Sequence, residues 1–153
     1  MPKGIVLDFA ALHSNNILII PFERSREVSI MNMYRQEIIE RYRFPRYRRE
    51  MKHADLQGEV LNALCGDELT LFFVFDEKKK RVQEVTFGGT GCALMTAAAD
   101  MLCEHLTGKT IEELSAFSAD DMLVLYADTP SPSRLKCVLL AFEALKRARV
   151  VLK

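Results

Sequence analysis

Residues 69–87 constrain the fold more than any other stretch of this chain. Leu69, Leu71, Phe73 and Phe75 recur at every second position, and a period of two places them on one face of a β-strand. Asp76-Glu77-Lys78-Lys79-Lys80 follows as a solvated turn. Arg81 to Phe87 returns, which predicts an antiparallel hairpin. Gly88-Gly89-Thr90-Gly91 then breaks the second strand. Ala93 to Leu106 is apolar on most sides and reads as a buried helix.

The flanking segments extend this frame. Tyr34 to Tyr42 has an amphipathic pattern through Ile38, Ile39 and Tyr42, and Pro45 ends that helix by about Arg43. Residues 46–57 read as a charged loop, and Gly58 to Leu64 as a first strand. Gly108 is a helix stop. Thr110 with Glu113 forms a capping-box pattern, and Ser118 with Asp121 starts a further helix through Met122 to Tyr126. Pro130 and Pro132 mark a loop before a final helix from Arg134 to about Val150, with Val138, Ala141, Leu145 and Ala148 as its apolar stripe. The order predicts an α+β fold: a small three-stranded antiparallel sheet packed by about five helices.

The totals bound the function. At 153 residues, with 49% apolar and 27% charged, the chain fits one domain with a real core. Lys plus Arg and Asp plus Glu are equal at 21 each, so global charge selects no partner. Four cysteines are too few and too scattered for a secreted disulfide scaffold; retained thiols suit a reducing cytosol, and a cytoplasmic location is expected. No run of roughly 18 apolar residues offers a membrane span. The apolar stretch Gly4 to Leu7, interrupted by Asp8, is too short for a secretory signal.

Three segments carry chemistry: Cys65-Gly66-Asp67, Gly89-Thr90-Gly91-Cys92 and Arg134-Leu135-Lys136-Cys137. Three thiols and a carboxylate could close a tetrahedral shell around a soft or borderline metal. On an extended segment Cys65 and Asp67 would point the same way. Cys92 opens a helix, whose N-terminus favours thiolate. Cys137 lies in the first turn of the last helix, where Arg134 and Lys136 are expected to favour thiolate as well. Cysteine also serves as a small buried residue, and no CxxC pair is present, so the spacing alone leaves both readings open. Cys103, about 16 Å along the helix from Cys92, is assigned to packing.

In this order the segments resemble the iron–sulfur cluster scaffold family that includes IscU, SufU and the N-terminal domain of NifU. The resemblance covers about residues 33–150. Tyr34-Arg35-Gln36-Glu37-Ile38-Ile39 through Pro45-Arg46 is similar to the family's opening helix and its Pro-Arg ending. Cys65-Gly66-Asp67, Phe87-Gly88 through Gly91-Cys92, and Arg134 to Cys137 are similar to its three ligand motifs. Leu106-Thr107-Gly108-Lys109-Thr110 is similar to its Gly-Lys-Ser/Thr segment. The resemblance implies a three-stranded antiparallel sheet packed by helices, and Cys65, Asp67, Cys92 and Cys137 as ligands of zinc or a two-iron two-sulfur cluster. It implies a cysteine desulfurase as sulfur donor, and downstream apo iron–sulfur proteins or carriers as recipients. Cys65, by analogy with SufU, or Cys137, by analogy with IscU, would accept the sulfur, with Arg134 and Lys136 in support. Activity would be that of a non-enzymatic scaffold or of a sulfurtransferase.

Three departures qualify the resemblance. IscU-type members carry a histidine before the last cysteine and a Leu-Pro-Pro-Val-Lys stretch that recruits an Hsp70-type chaperone. Lys136 and Ser131-Pro132-Ser133-Arg134 stand in those places, so chaperone-assisted transfer is not expected. The Arg-x-Lys-Cys ending is SufU-like, yet the gap from Cys92 to Cys137 is too short for the usual SufU insertion. Ala97-Ala98-Ala99-Asp100 replaces the family's Ala-Ser-Ala-Ser; the small residues keep close packing, and Asp100 is expected in polar surroundings with no ligand role.

Residues 35–52 hold seven basic side chains against three acidic ones, interleaved with Tyr42, Phe44 and Tyr47. That composition fits nucleic acid, but the neutral whole favours a solvated helix face with a docking patch for a protein. The rival class is a structural zinc domain whose basic stretch binds protein or nucleic acid. His13, His53 and His105 pair with no cysteine motif. Residues 1–31 lie outside the resemblance, leaving 32–153 as the scaffold domain. The apolar patches Ile5–Leu7 and Ile17–Ile20 fit a strand or a short helix. Met31 and Met33 stand where many family members begin, so the segment is expected to be either an artefact of the assigned start or a lineage-specific extension. N-terminal sequencing of native protein separates the two.

Overall fold

The computed structural model describes residues 35–127 and 130–152; the expectations for residues 1–31 lie outside them. Helix α1 covers residues 35–43. Strands β1 (Leu56–Asn62), β2 (Asp67–Phe75) and β3 (Val82–Thr90) form one antiparallel sheet in that order. Helices α2 (Ala93–Leu106), α3 (Ile111–Ala116), α4 (Ala119–Tyr126) and α5 (Pro132–Val151) follow. This is the expected α+β architecture. No helix among the described residues is long and apolar enough to cross a membrane.

Alternation in β2 buries Leu69, Leu71, Phe73 and Phe75 on one face. That face meets α2 and α5, whose Ala97, Ala98, Ala99, Ala141, Ala144 and Ala148 are wholly buried. Small residues let the helices close on the sheet. The approach is tightest at Gly58 in β1, where an added Cβ would lie 2.1 Å from the Ala144 carbonyl oxygen. Thr110–Glu113 and Ser118–Asp121 form the reciprocal capping boxes of α3 and α4.

Three boundaries differ from expectation. The first strand is Leu56–Asn62 rather than Gly58 to Leu64. Leu64, 83% exposed, belongs to the turn, and Leu61, 65% exposed, stands on the solvent face of β1. The glycines at 88–91 do not break β3, which runs to Thr90. Gly89 instead takes φ +116° where a Cβ would meet the Glu68 carbonyl at 2.1 Å, a conformation and an approach that only glycine permits. The last helix begins at Pro132, because proline at the first helical position forfeits no hydrogen bond. Cys137 therefore stands in the second turn.

The basic stretch is partly consumed inside the fold. Arg41 pairs with Glu37, Asp100 and Glu104, Arg49 with Glu84, and Arg48 donates to the Gly89 carbonyl. Burial works against the Arg41 charge, but the hydrogen bonds it donates to Glu104, Asp100 and Glu37 outweigh it and hold the guanidinium above its ordinary pKa. Arg41, half-buried in this network, serves the fold rather than a solvated face, whereas Arg48 and Arg49 make their contacts from exposed positions.

Candidate metal centre

The sheet register assembles the site. β2 and β3 are antiparallel, with Glu68 opposite Thr90 and Leu69 opposite Gly89. The start of β2 therefore lies beside the end of β3, and the residues just outside both strands are neighbours. Asp67 shares the parity of Leu69 and so lies on the core face of the sheet. It is 5% exposed, and its Oδ2 is buried with no hydrogen-bond partner.

Cys65 is not on an extended segment with Asp67, as the spacing first implied. It sits in the β1–β2 turn, exposed to solvent. The Asn62 carbonyl accepts from Cys65 N–H at 3.2 Å and from Gly66 N–H at 2.8 Å, Asn62 Oδ1 accepts from Leu64 N–H at 3.2 Å, and Gly66 takes φ +70°. The turn thus delivers the thiol beside the Asp67 carboxylate. Cys92 caps α2, its Sγ accepting from Met95 N–H at 3.4 Å. Gly91 lets this junction close: a Cβ there would lie 2.5 Å from Met95 Sδ and 3.2 Å from Asp67 Cγ. Cys137, 9% exposed, comes from α5.

Ligand atoms of Cys65, Asp67 and Cys137 lie within 4.8 Å of one another. Cys92 is outside that trio, but it lies near enough to Cys137 to help raise that thiol's pKa. Tetrahedral zinc with sulfur at about 2.3 Å and oxygen at about 2.0 Å needs donors spaced on this scale. A buried carboxylate oxygen with no donor of its own is costly unless a cation or proton meets it. The residues therefore fit a metal or a cluster. Cys103 is wholly buried in α2, where burial and the Asp100 charge raise its thiol pKa; packing is its role. His53 is exposed and belongs to no such group, and His13 lies outside the described residues. Sequence reasoning missed Asn62 and Met95. An asparagine opening a turn is a signal for the first; nothing in the pattern marks the second.

The electrostatics of Cys137 reverse an expectation. Arg134 and Lys136 are exposed, and the thiol is not driven toward thiolate. Burial above all pushes it up to about 11, and the hydrogen bond with Cys92 and the charges of Cys92, Asp67 and Cys65 add to the rise. A metal must displace that proton. Apparent zinc affinity therefore rises with pH by about tenfold per unit for each proton displaced. Competition with a chromophoric chelator on either side of neutrality measures it, and a flat profile contradicts it. In the metal-free chain the sign is opposite. A folded pKa above the ordinary value of about 8.5 contributes stability below that pH. That contribution is lost as pH rises toward about 11.

Comparison with known proteins places this geometry in context. The profile of the NifU-like N terminal domain matches residues 33–151. The chain is 32% identical over 118 residues to the iron–sulfur cluster assembly scaffold protein IscU 1 of Archaeoglobus fulgidus, covering 77% of this chain and 75% of the relative. It is 26% identical over 140 residues to the zinc-dependent sulfurtransferase SufU of Bacillus subtilis, covering 80% and 93%. Among solved structures, an iron–sulfur cluster assembly scaffold protein for the SUF system from Fervidobacterium islandicum aligns with a TM-score of 0.61 at 27% identity, over 74% of this chain and 93% of that one.

Proposed function

Because this chain belongs to the NifU-like N-terminal domain family, we propose that it is a cytoplasmic scaffold for iron–sulfur cluster assembly, accepting sulfur from a cysteine desulfurase and holding its cargo on Cys65, Asp67, Cys92 and Cys137. The observation that carries this reading is the convergence of Cys65, Asp67 and Cys137, with one Asp67 oxygen buried and without a hydrogen-bond partner.

Of the two candidate acceptors, accessibility favours Cys65. A donor persulfide must reach its target. Cys65 is exposed in its turn, whereas Cys137 is buried and holds its proton at neutral pH. The Cys65 thiolate attacks the outer sulfur of the desulfurase persulfide. A new S–S bond forms on Cys65 as the donor's S–S bond breaks, and the electron pair leaves with the desulfurase thiolate. One sulfur moves at unchanged total oxidation state, so no external oxidant is needed. Zinc, when bound, keeps its cysteine ligands deprotonated. Cys137 and Cys92, beneath the exposed turn, then serve as ligands rather than entry points.

Asp67 supplies a harder ligand than thiolate and holds iron or zinc less tightly. Asp67→Ala is therefore expected to slow cluster transfer to an apo acceptor by about tenfold. Faster transfer from that variant, followed by the acceptor's absorbance, counts against the mixed-ligand role. A second reading is a zinc-dependent sulfur relay that builds no cluster. The Arg134-Leu135-Lys136-Cys137 ending, with no histidine before the last cysteine, favours it. Anaerobic incubation with ferrous iron, cysteine and a desulfurase separates the two. A scaffold acquires cluster absorbance and activates an apo iron–sulfur protein; a relay passes persulfide sulfur on without it.

A further inference from the structure

Asp100 is a wholly buried carboxylate with no part in the chemistry above. Both of its oxygens reach across the fold from α2. Arg41 Nη1 donates to Oδ2 and Tyr47 N–H donates to Oδ1, each at 2.9 Å. Arg41 also pairs with Glu37 at 3.0 Å and with Glu104. A single side chain thus holds α1 and the backbone that leaves it, and a buried charge satisfied this fully is sensitive to small displacements of its partners.

The backbone it holds lies along the outer edge of β3. Phe87 N–H donates to the Tyr47 carbonyl and Arg49 N–H to the Phe87 carbonyl, both at 2.9 Å, so residues 47–49 form a short parallel strap. Arg48 Nη2 donates to the Gly89 carbonyl at 2.8 Å. Gly89 takes φ +116°, a conformation that favours glycine, and Thr90, Gly91 and Cys92 come next. The strap holds this point from one side, and β2 holds it from the other through the Leu69–Gly89 pair.

We propose that Asp100 is a positioning residue for Cys92. It seats the strap of residues 47–49 on β3, and the strap sets where the Gly89–Cys92 arm carries its thiol. The inference rests on the reading of Cys92 as a thiol of the site. Arg48 makes the direct contact, and Asp100 acts through Tyr47.

The test compares the metal-free full chain with Asp100→Asn and Arg48→Ala during timed alkylation by iodoacetamide, with the rate at each cysteine resolved by mass spectrometry. Cys103, wholly buried further along α2, reports any general opening of the fold. Cys92 is expected to react about tenfold faster in both variants while Cys103 stays protected. An unchanged Cys92 rate, or an acceleration that Cys103 shares, overturns the proposal. Arg48→Ala alters only an exposed side chain and decides the matter alone if Asp100→Asn does not fold. Zinc titration of the unaltered chain runs in parallel. Failure to bind zinc refutes the metal-site reading and leaves the alkylation result to stand on its own.

Discussion

Cys65→Ser is expected to lower the rate at which desulfurase sulfur appears on this chain by about 100-fold or more, and Cys137→Ser to lower it far less. The asymmetry follows from where the fold puts the two thiols. The β1–β2 turn presents Cys65 to solvent, and serine keeps its shape but supplies no thiolate to attack the persulfide. Cys137 is buried on α5, with a thiol pushed up to about 11, so its loss is expected to weaken metal binding rather than remove the nucleophile. Mass spectrometry of the chain during incubation with desulfurase and cysteine measures both rates. The reverse order would move the acceptor role to Cys137.

Gly58→Ala has the largest expected effect on stability, about 3 kcal/mol. The Ala144 carbonyl oxygen would lie 2.1 Å from the new Cβ, and the Ala148 backbone nitrogen and Cβ at 2.8 Å. These are backbone and near-backbone atoms that cannot rotate away. Either β1 or α5 must shift. α5 carries Cys137, so a shift of that helix also spreads the Cys65–Asp67–Cys137 cluster. Thermal unfolding of the metal-free variant is expected to fall by about 10 °C, with weaker zinc binding in the same preparation. An unchanged midpoint would mean that α5 packs less closely on β1 than the structure gives.

Local pattern made much of this fold legible. The alternation at Leu69–Phe75, the charged turn, the helix Ala93–Leu106 and both capping boxes need only neighbours in the chain, and each stands where residue spacing put it. Long-range context decided the rest. Leu64 carries an apolar side chain typical of a strand, but it is 83% exposed in the turn that follows β1, and the strand ends at Asn62. Arg134 and Lys136 are near Cys137 in sequence, yet its proton affinity is set first by burial and then by Cys92, Asp67 and Cys65, all of which only the folded chain supplies. The partner of Asp100 was invisible because Arg41 is 59 positions away. The four candidate ligands rest on motif resemblance, and three of them, Cys65, Asp67 and Cys137, lie together in the fold. Spacing alone had placed Cys65 and Asp67 on one strand, whereas a turn with a left-handed Gly66 joins them.

The most direct test of the central claim is desulfurase turnover with and without this chain, together with persulfide trapping on the chain itself. The account predicts faster turnover and one added sulfur carried by Cys65. Unchanged turnover, no trapped persulfide and a bound zinc that resists exchange would contradict it, and would mark the centre as a structural zinc site.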